Sequence, residues 1–170
     1  MNQKFVAVLV LFLFCFAGFA SAQSVPVCNA KVDLMFVLDS SLSMRNGGKI
    51  QAVQQAAENF VNIFALDPVS RNNVRIGLVT FACQAWQSQQ LANLSNFAEL
   101  TSLNNAIDRV DEELSEMTNL EDALLVAQAD LNSYGWPDAQ KVIILLTDGN
   151  PTINSDQSTC MNLVNPTPGT

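Results

Sequence analysis

The sequence predicts an α/β protein built on a doubly wound, mostly parallel sheet. The runs beginning at Val32 and at Val142 are of strand length and dominated by apolar, β-favouring residues, the composition of strands covered on both faces. Each runs into a polar loop that opens with or carries a carboxylate, Asp39 in one and Asp148 in the other. Between them apolar residues recur at helical spacing, so helices join the strands, and the pairing is parallel through right-handed crossovers.

The elements follow in order. Residues 49–66 place Ile50, Val53, Ala57, Phe60, Val61 and Phe64 on one helical face, and Asp67-Pro68 ends the pattern. The second strand is Val74 to Phe81, rich in β-branched and aromatic residues. Ser88 to Leu94 is short and polar and is expected to return antiparallel as an edge strand. Phe97, Leu100, Leu103, Ile107 and Val110 form the next helical stripe, with Asn96 and Glu99 placed as a capping pair. The acidic run from Asp108 to Glu116 reads as a solvated helix face. A third helix follows Thr118-Asn119, with Ala123, Leu124, Ala127 and Leu131 on its inner face, and Tyr134-Gly135-Trp136-Pro137 breaks it. Residues 150–170 hold Pro151, Pro166 and Pro168 and no clear strand.

Composition narrows the function classes. The 170 residues suit one domain, with 49% apolar and 14% charged residues. Met1-Asn2-Gln3-Lys4, the apolar run from Phe5 to Phe19 and Ala20-Ser21-Ala22 have the order of a secretory signal peptide, so residues 1–22 are expected to be removed, and 23–31 form a lead-in. The apolar run is shorter than the roughly 20 residues of a spanning helix, and no later stretch is long enough. Loss of residues 1–22 takes Lys4 and no acid, leaving 7 basic and 16 acidic side chains, a net charge of −9. Nucleic acid and anionic lipid are poor partners for such a chain. There is no histidine, which excludes Ser-His-Asp and Cys-His catalytic centres and His-ligated metals. Asn46-Gly47-Gly48-Lys49 is followed by Ile50 rather than the Ser or Thr of a phosphate loop.

The loop after the first strand carries oxygen ligands at alternate positions, Asp39, Ser41 and Ser43. In an open sheet, ligands bind beyond the carboxyl ends of strands where the strand order switches direction. If the first strand and Val142–Leu146 are neighbours, Asp39 and Asp148 leave strands about 4.8 Å apart. Thr118, before the third helix, is placed to close the ring. Two carboxylates and three hydroxyls make an all-oxygen shell that fits magnesium or manganese.

Asp39, Ser41 and Ser43, then Thr118 within T-N-L-E-D-A-L, then Asp148 within T-D-G, resemble the metal-ion-dependent adhesion site of the von Willebrand factor type A, or integrin I-like, domain. The resemblance covers Val32 to Gly149 and gives the domain as residues 32–149, with an irregular tail at 150–170. It implies a Rossmann-like sheet of strand order 3-2-1-4-5-6 with one antiparallel edge strand, a divalent metal, and a partner protein whose acidic side chain completes the metal shell. Two departures stand out. Members of the family usually carry small residues, often Gly-Gly, before the site threonine, where this chain has Glu116-Met117. The family also continues after T-D-G through two more strands and a helix, so the resemblance implies a sheet truncated after its fourth strand, with Val142–Leu146 left as an edge that recruits other chains.

The expected function is therefore a secreted, non-enzymatic adhesion or ligand-binding module for an extracellular protein, such as a matrix protein. The alternatives are a metal-free, degenerate scaffold or fragment of a larger extracellular protein, and a haloacid dehalogenase-like phosphatase, which needs a second acid where Ser41 stands. Cys28, Cys83 and Cys160 remain after signal removal. Cys28 precedes the first strand and Cys83 follows a parallel one, which puts them at opposite ends of the sheet, so Cys83–Cys160 is the expected disulfide. Asn93-Leu94-Ser95 is the one glycosylation sequon free of proline.

Overall fold

The computed structural model describes residues 30–113, 117–149 and 152. The leader at 1–22, Cys28, Glu116, Cys160 and the tail beyond Thr152 lie outside the described residues. The strands are β1 (Val32–Asp39), β2 (Val74–Phe81), β3 (Ala85–Asn93) and β4 (Gln140–Leu146), and the helices α1 (Lys49–Leu66), α2 (Phe97–Asp108) and α3 (Leu120–Tyr134). The sheet order is β3-β2-β1-β4. β1 is parallel to both its neighbours, with Val32 opposite Val74 on one side and Gln140 on the other, and β3 is antiparallel to β2. This is the mixed sheet expected from the sequence, with the polar strand at one edge and β4 at the other.

The continuous apolar run of β1 is explained by the layers it separates. Leu34, Phe36 and Leu38 face one core with Ile50, Ala57 and Val61 of α1 and Leu103 and Ile107 of α2. Met35 and Val37 face the other, with Val79 and Phe81 of β2 and Ala123, Ala127 and Leu131 of α3. Alternate residues thus point to opposite helical layers, and both sets are shielded from water. Phe36 meets Phe60 edge to face at 5.4 Å between centroids, a contact that adds about 0.5–1.5 kcal/mol to its burial. A Cβ on Gly77 would stand 2.8 Å from Met35 Cε and 3.2 Å from the Gln89 carbonyl oxygen, so the end of the Met35 side chain would have to move to admit one.

Asn96 caps α2 by accepting from the amides of Ala98 and Glu99, and Glu99 reaches back to the amide of Asn93. Two stripe assignments are corrected. Phe97, the first residue after the cap, is 83% exposed, and Leu124 is 38% exposed. The reason in α3 is its narrow contact stripe: Ala123, Ala127 and Leu131 recur at every fourth position and seat the helix on the sheet, which leaves Leu124 at the rim.

The amino-terminal ends of the strands are tied by a buried ion pair. Asp33, a register partner of Arg75, is fully buried and takes both guanidinium bonds at 2.8 and 2.9 Å. Its second oxygen also accepts from the amide of Trp136, and the Arg75 guanidinium lies 3.9 Å over the Trp136 ring. This fork fixes the end of the sheet remote from Asp39.

Candidate metal centre

At the opposite end, β1 and β4 deliver their loops side by side. Asp39, the last residue of β1, has no exposed surface. One of its oxygens accepts from the amide of Ser41 at 2.8 Å, and the other from the hydroxyl of Thr147. The chain then turns through a tight 3-10 segment, Leu42–Gly48, closed by a 3.0 Å bond from the Met44 amide to the Ser41 carbonyl. The turn, rather than an extended backbone, is what brings the two serines together. Ser41 Oγ and Ser43 Oγ are 2.9 Å apart, and Ser43 donates to Asp148 Oδ1 at 2.8 Å. With the one Ser43 proton on Asp148, Ser41 is the donor of the pair.

Asp148 takes a second partner, the ammonium of Lys49, on its Oδ2. That ammonium, and after it the Ser43 hydroxyl, hold the Asp148 carboxyl below the usual carboxylate range, against the opposing effect of partial burial. Gly149 donates to Thr147 Oγ1 at 3.2 Å. A Cβ built on Gly149 would lie 3.6 Å from Thr118 Oγ1 and 3.9 Å from Ser43 Oγ, so the third loop converges on the same spot.

Thr118 is held there by backbone. Its amide donates to Thr152 Oγ1 at 2.7 Å and its carbonyl accepts from the Thr152 amide at 3.1 Å. The next residue, Asn119, is fully buried and caps α3 through the Asp122 amide. It also ties this loop to the β2–β3 turn, donating through its backbone to the Ala82 carbonyl and through its side chain to the Cys83 carbonyl. Asp122 accepts from the amide of Ala85. Met117, just before Thr118, has φ +71°, a left-handed conformation that glycine adopts without strain and a side chain does not.

All five sequence-predicted residues, Asp39, Ser41, Ser43, Thr118 and Asp148, therefore meet at one end of the sheet. Thr147, Lys49 and Asn119 were not predicted; Thr147 had a signal, since a hydroxyl beside Asp148 at the exit of β4 faces the neighbouring exit of β1. The donor set fits a hard divalent cation: two carboxylates, three hydroxyls, no nitrogen or sulfur ligand. Among the described residues no group of three acids, cysteines or histidines is assembled, so hydroxyls make up the greater part of this donor set. Cys83, at the β2–β3 turn on this same end, is disulfide-bonded; the partner expected from the sequence, Cys160, lies outside the described residues.

A mostly parallel sheet between helical layers, with convergent acid and hydroxyl loops at its carboxyl edge, defines an α/β domain with a polar cluster at the switch point. The von Willebrand factor type A domain model matches residues 33–164, and the chain belongs to that family. Among curated relatives, bovine matrilin-1 (Bos taurus) is 31% identical over 84% of this chain, and the thrombospondin-related anonymous protein of Plasmodium berghei (strain Anka) is 27% identical over 95%. The chain spans 27% of the length of each. Among solved structures, the pilus adhesin SpaC of Lactobacillus rhamnosus GG is 27% identical with a TM-score of 0.62, covering 72% of this chain and 15% of that one. Proximal thread matrix protein 1 of the mussel byssus, solved with zinc in its MIDAS motif, is 27% identical with a TM-score of 0.58, covering 72% of this chain and 30% of that one.

Proposed function

We propose that this chain is a secreted adhesion module that recognises an extracellular protein through a divalent cation, magnesium or manganese, held by Asp39, Ser41, Ser43, Thr118 and Asp148. The observation that carries the reading is Asp39. It is a carboxylate without exposed surface, held by one amide and one hydroxyl, with no cationic side chain paired to it among the described residues. A charge taken out of water in this way costs several kcal/mol unless a counter-charge meets it. When bound, the cation supplies an electrophilic position that a carboxylate of the partner completes. Asp39 and Asp148 contribute the negative charge, and Ser41, Ser43 and Thr118 contribute neutral oxygens that leave the cation electrophilic. Ser43 lies on the exposed side, which leaves the approach of a partner open.

The pilus adhesin and the zinc-bearing byssus protein among the similar structures support adhesion and metal binding here. Secretion rests on the leader at residues 1–22, and the same compartment supports a Cys83–Cys160 bond and a glycan on Asn93. A phosphatase of the haloacid dehalogenase kind is disfavoured by Ser41, whose hydroxyl serves Ser43 and supplies no carboxylic acid proton to a leaving group. The metal-free scaffold has one observation in its favour, the Lys49 ammonium on Asp148. Calorimetric titration of manganese and magnesium into the secreted chain separates the two. A single saturable site in the parent that is lost in Asp39→Asn is expected, and absence of binding in the parent would leave the scaffold.

A further inference from the structure

Lys49 stands where local preference does not want a cation. It is the first residue of α1, whose first turn contains no acid, and the unpaired amides of a helix amino terminus repel positive charge. The turn delivering it is held by two consecutive glycines in the left-handed region, Gly47 at φ +70° and Gly48 at φ +72°. The same short segment carries Ser41 and Ser43 at its start and Lys49 directly after its end. What compensates the ammonium is Asp148 Oδ2, while the other oxygen of that carboxylate is on Ser43. The two partners differ in exposure: the Lys49 side chain is 48% exposed and that of Asp148 16%. Lys49 can therefore swing into water at small cost, whereas Asp148 stays in the site.

We propose that Lys49 is a tethered counter-cation that competes with the divalent ion for Asp148 and thereby sets the metal affinity of the site. This rests on the metal-site reading above. One carboxylate oxygen is shared between an internal monovalent group and an external dication, so loading the site requires Lys49 to release Asp148. The half-exposed side chain makes that release accessible, and the charge it leaves nearby opposes the incoming ion. The site then fills only where the divalent cation is abundant.

Manganese binding, read from the loss of the free-ion signal in electron paramagnetic resonance, tests this on the secreted parent chain and on Lys49→Gln, Lys49→Met and Lys49→Arg. The two neutral variants are expected to bind manganese about three- to tenfold more tightly, the order set by removing one partly exposed ion pair and one positive charge beside a dication. The arginine variant keeps the charge and is expected to stay near the parent. A merely structural role would weaken binding on substitution. If the parent binds and both neutral variants bind equally or more weakly, the role of Lys49 is overturned while the metal site stands. If neither the parent nor the neutral variants bind, the metal site itself falls and Lys49 with it. Binding by the neutral variants alone would make the parent a scaffold closed by Lys49 and would overturn its role in tuning a working site.

Discussion

The hydroxyl of Thr147 donates to the buried carboxylate of Asp39, joining the exits of two adjacent parallel strands. The same oxygen accepts from the Gly149 amide, so one threonine orients Asp39 and shapes the turn that aims Asp148. Thr147→Val keeps the shape of the side chain and removes both bonds. A stability loss of about 1–3 kcal/mol is expected in metal-free buffer, the cost of a buried acceptor left short of its donor. Denaturant unfolding checks it, and an unchanged midpoint would mean that Asp39 is satisfied without Thr147.

The Asp33–Arg75 fork is expected to be costly to break from one side. Arg75→Met leaves Asp33 buried and unpaired and should destabilise the fold by about 3–5 kcal/mol. Arg75→Lys should recover part of this, since an ammonium restores charge without the bidentate geometry. Thermal melting of both variants in chelator, away from any metal effect, measures the difference.

Met117 holds a left-handed backbone conformation at a position where the family favours small residues. That conformation costs a residue with a Cβ about 1–2 kcal/mol. Met117→Gly removes the strain and frees the unfolded chain, so a net gain of up to about 1 kcal/mol is expected. A loss on substitution would show that packing of the methionine side chain outweighs its backbone.

Glu58 and Asp108 face each other across α1 and α2, beside Gln54, which donates to the Asp108 carbonyl at 2.7 Å. Sharing of a hydrogen bond with Asp108, followed by burial, pushes the Glu58 carboxyl above its usual 4.5. The folded state therefore holds that proton to higher pH than the unfolded chain does. Its contribution is present below the ordinary glutamate pKa and is lost as pH rises through the raised one. Glu58→Gln should accordingly stabilise the protein at neutral pH by no more than about 0.5 kcal/mol, as befits a partly solvated pair. The gain should fade on acidification below pH about 4, which urea titrations at several pH values would follow.

The elements with strong local signals were legible in the sequence. β1 announced itself by an apolar run that only a doubly covered strand needs, and the helix of Lys49–Leu66 by its period and its Asp-Pro stop. The convergence of these five side chains was legible because their spacing, and their place in loops after strands or before a helix, survive without coordinates. Lys49 was not, because its charge is assigned to Asp148 by the path of the glycine turn and not by any periodicity. Asp33 and Arg75 pair only once the parallel register is set, so neither residue alone signals a buried fork. Phe97 and Leu124 fit the helical stripes by spacing, but which members of a stripe meet the sheet depends on how the helix is seated, which spacing does not encode.

If Asp148 is a metal ligand, its loss uncouples the fold from the cation. Melting of the purified parent and of Asp148→Ala, each in chelator and then in excess magnesium, decides this. In the parent, magnesium at about a hundredfold excess over its dissociation constant should stabilise the fold by about 2.7 kcal/mol by mass action. Chelator should reverse the gain, and Asp148→Ala should show little or none of it. An equal magnesium response in Asp148→Ala and parent would contradict the proposed site.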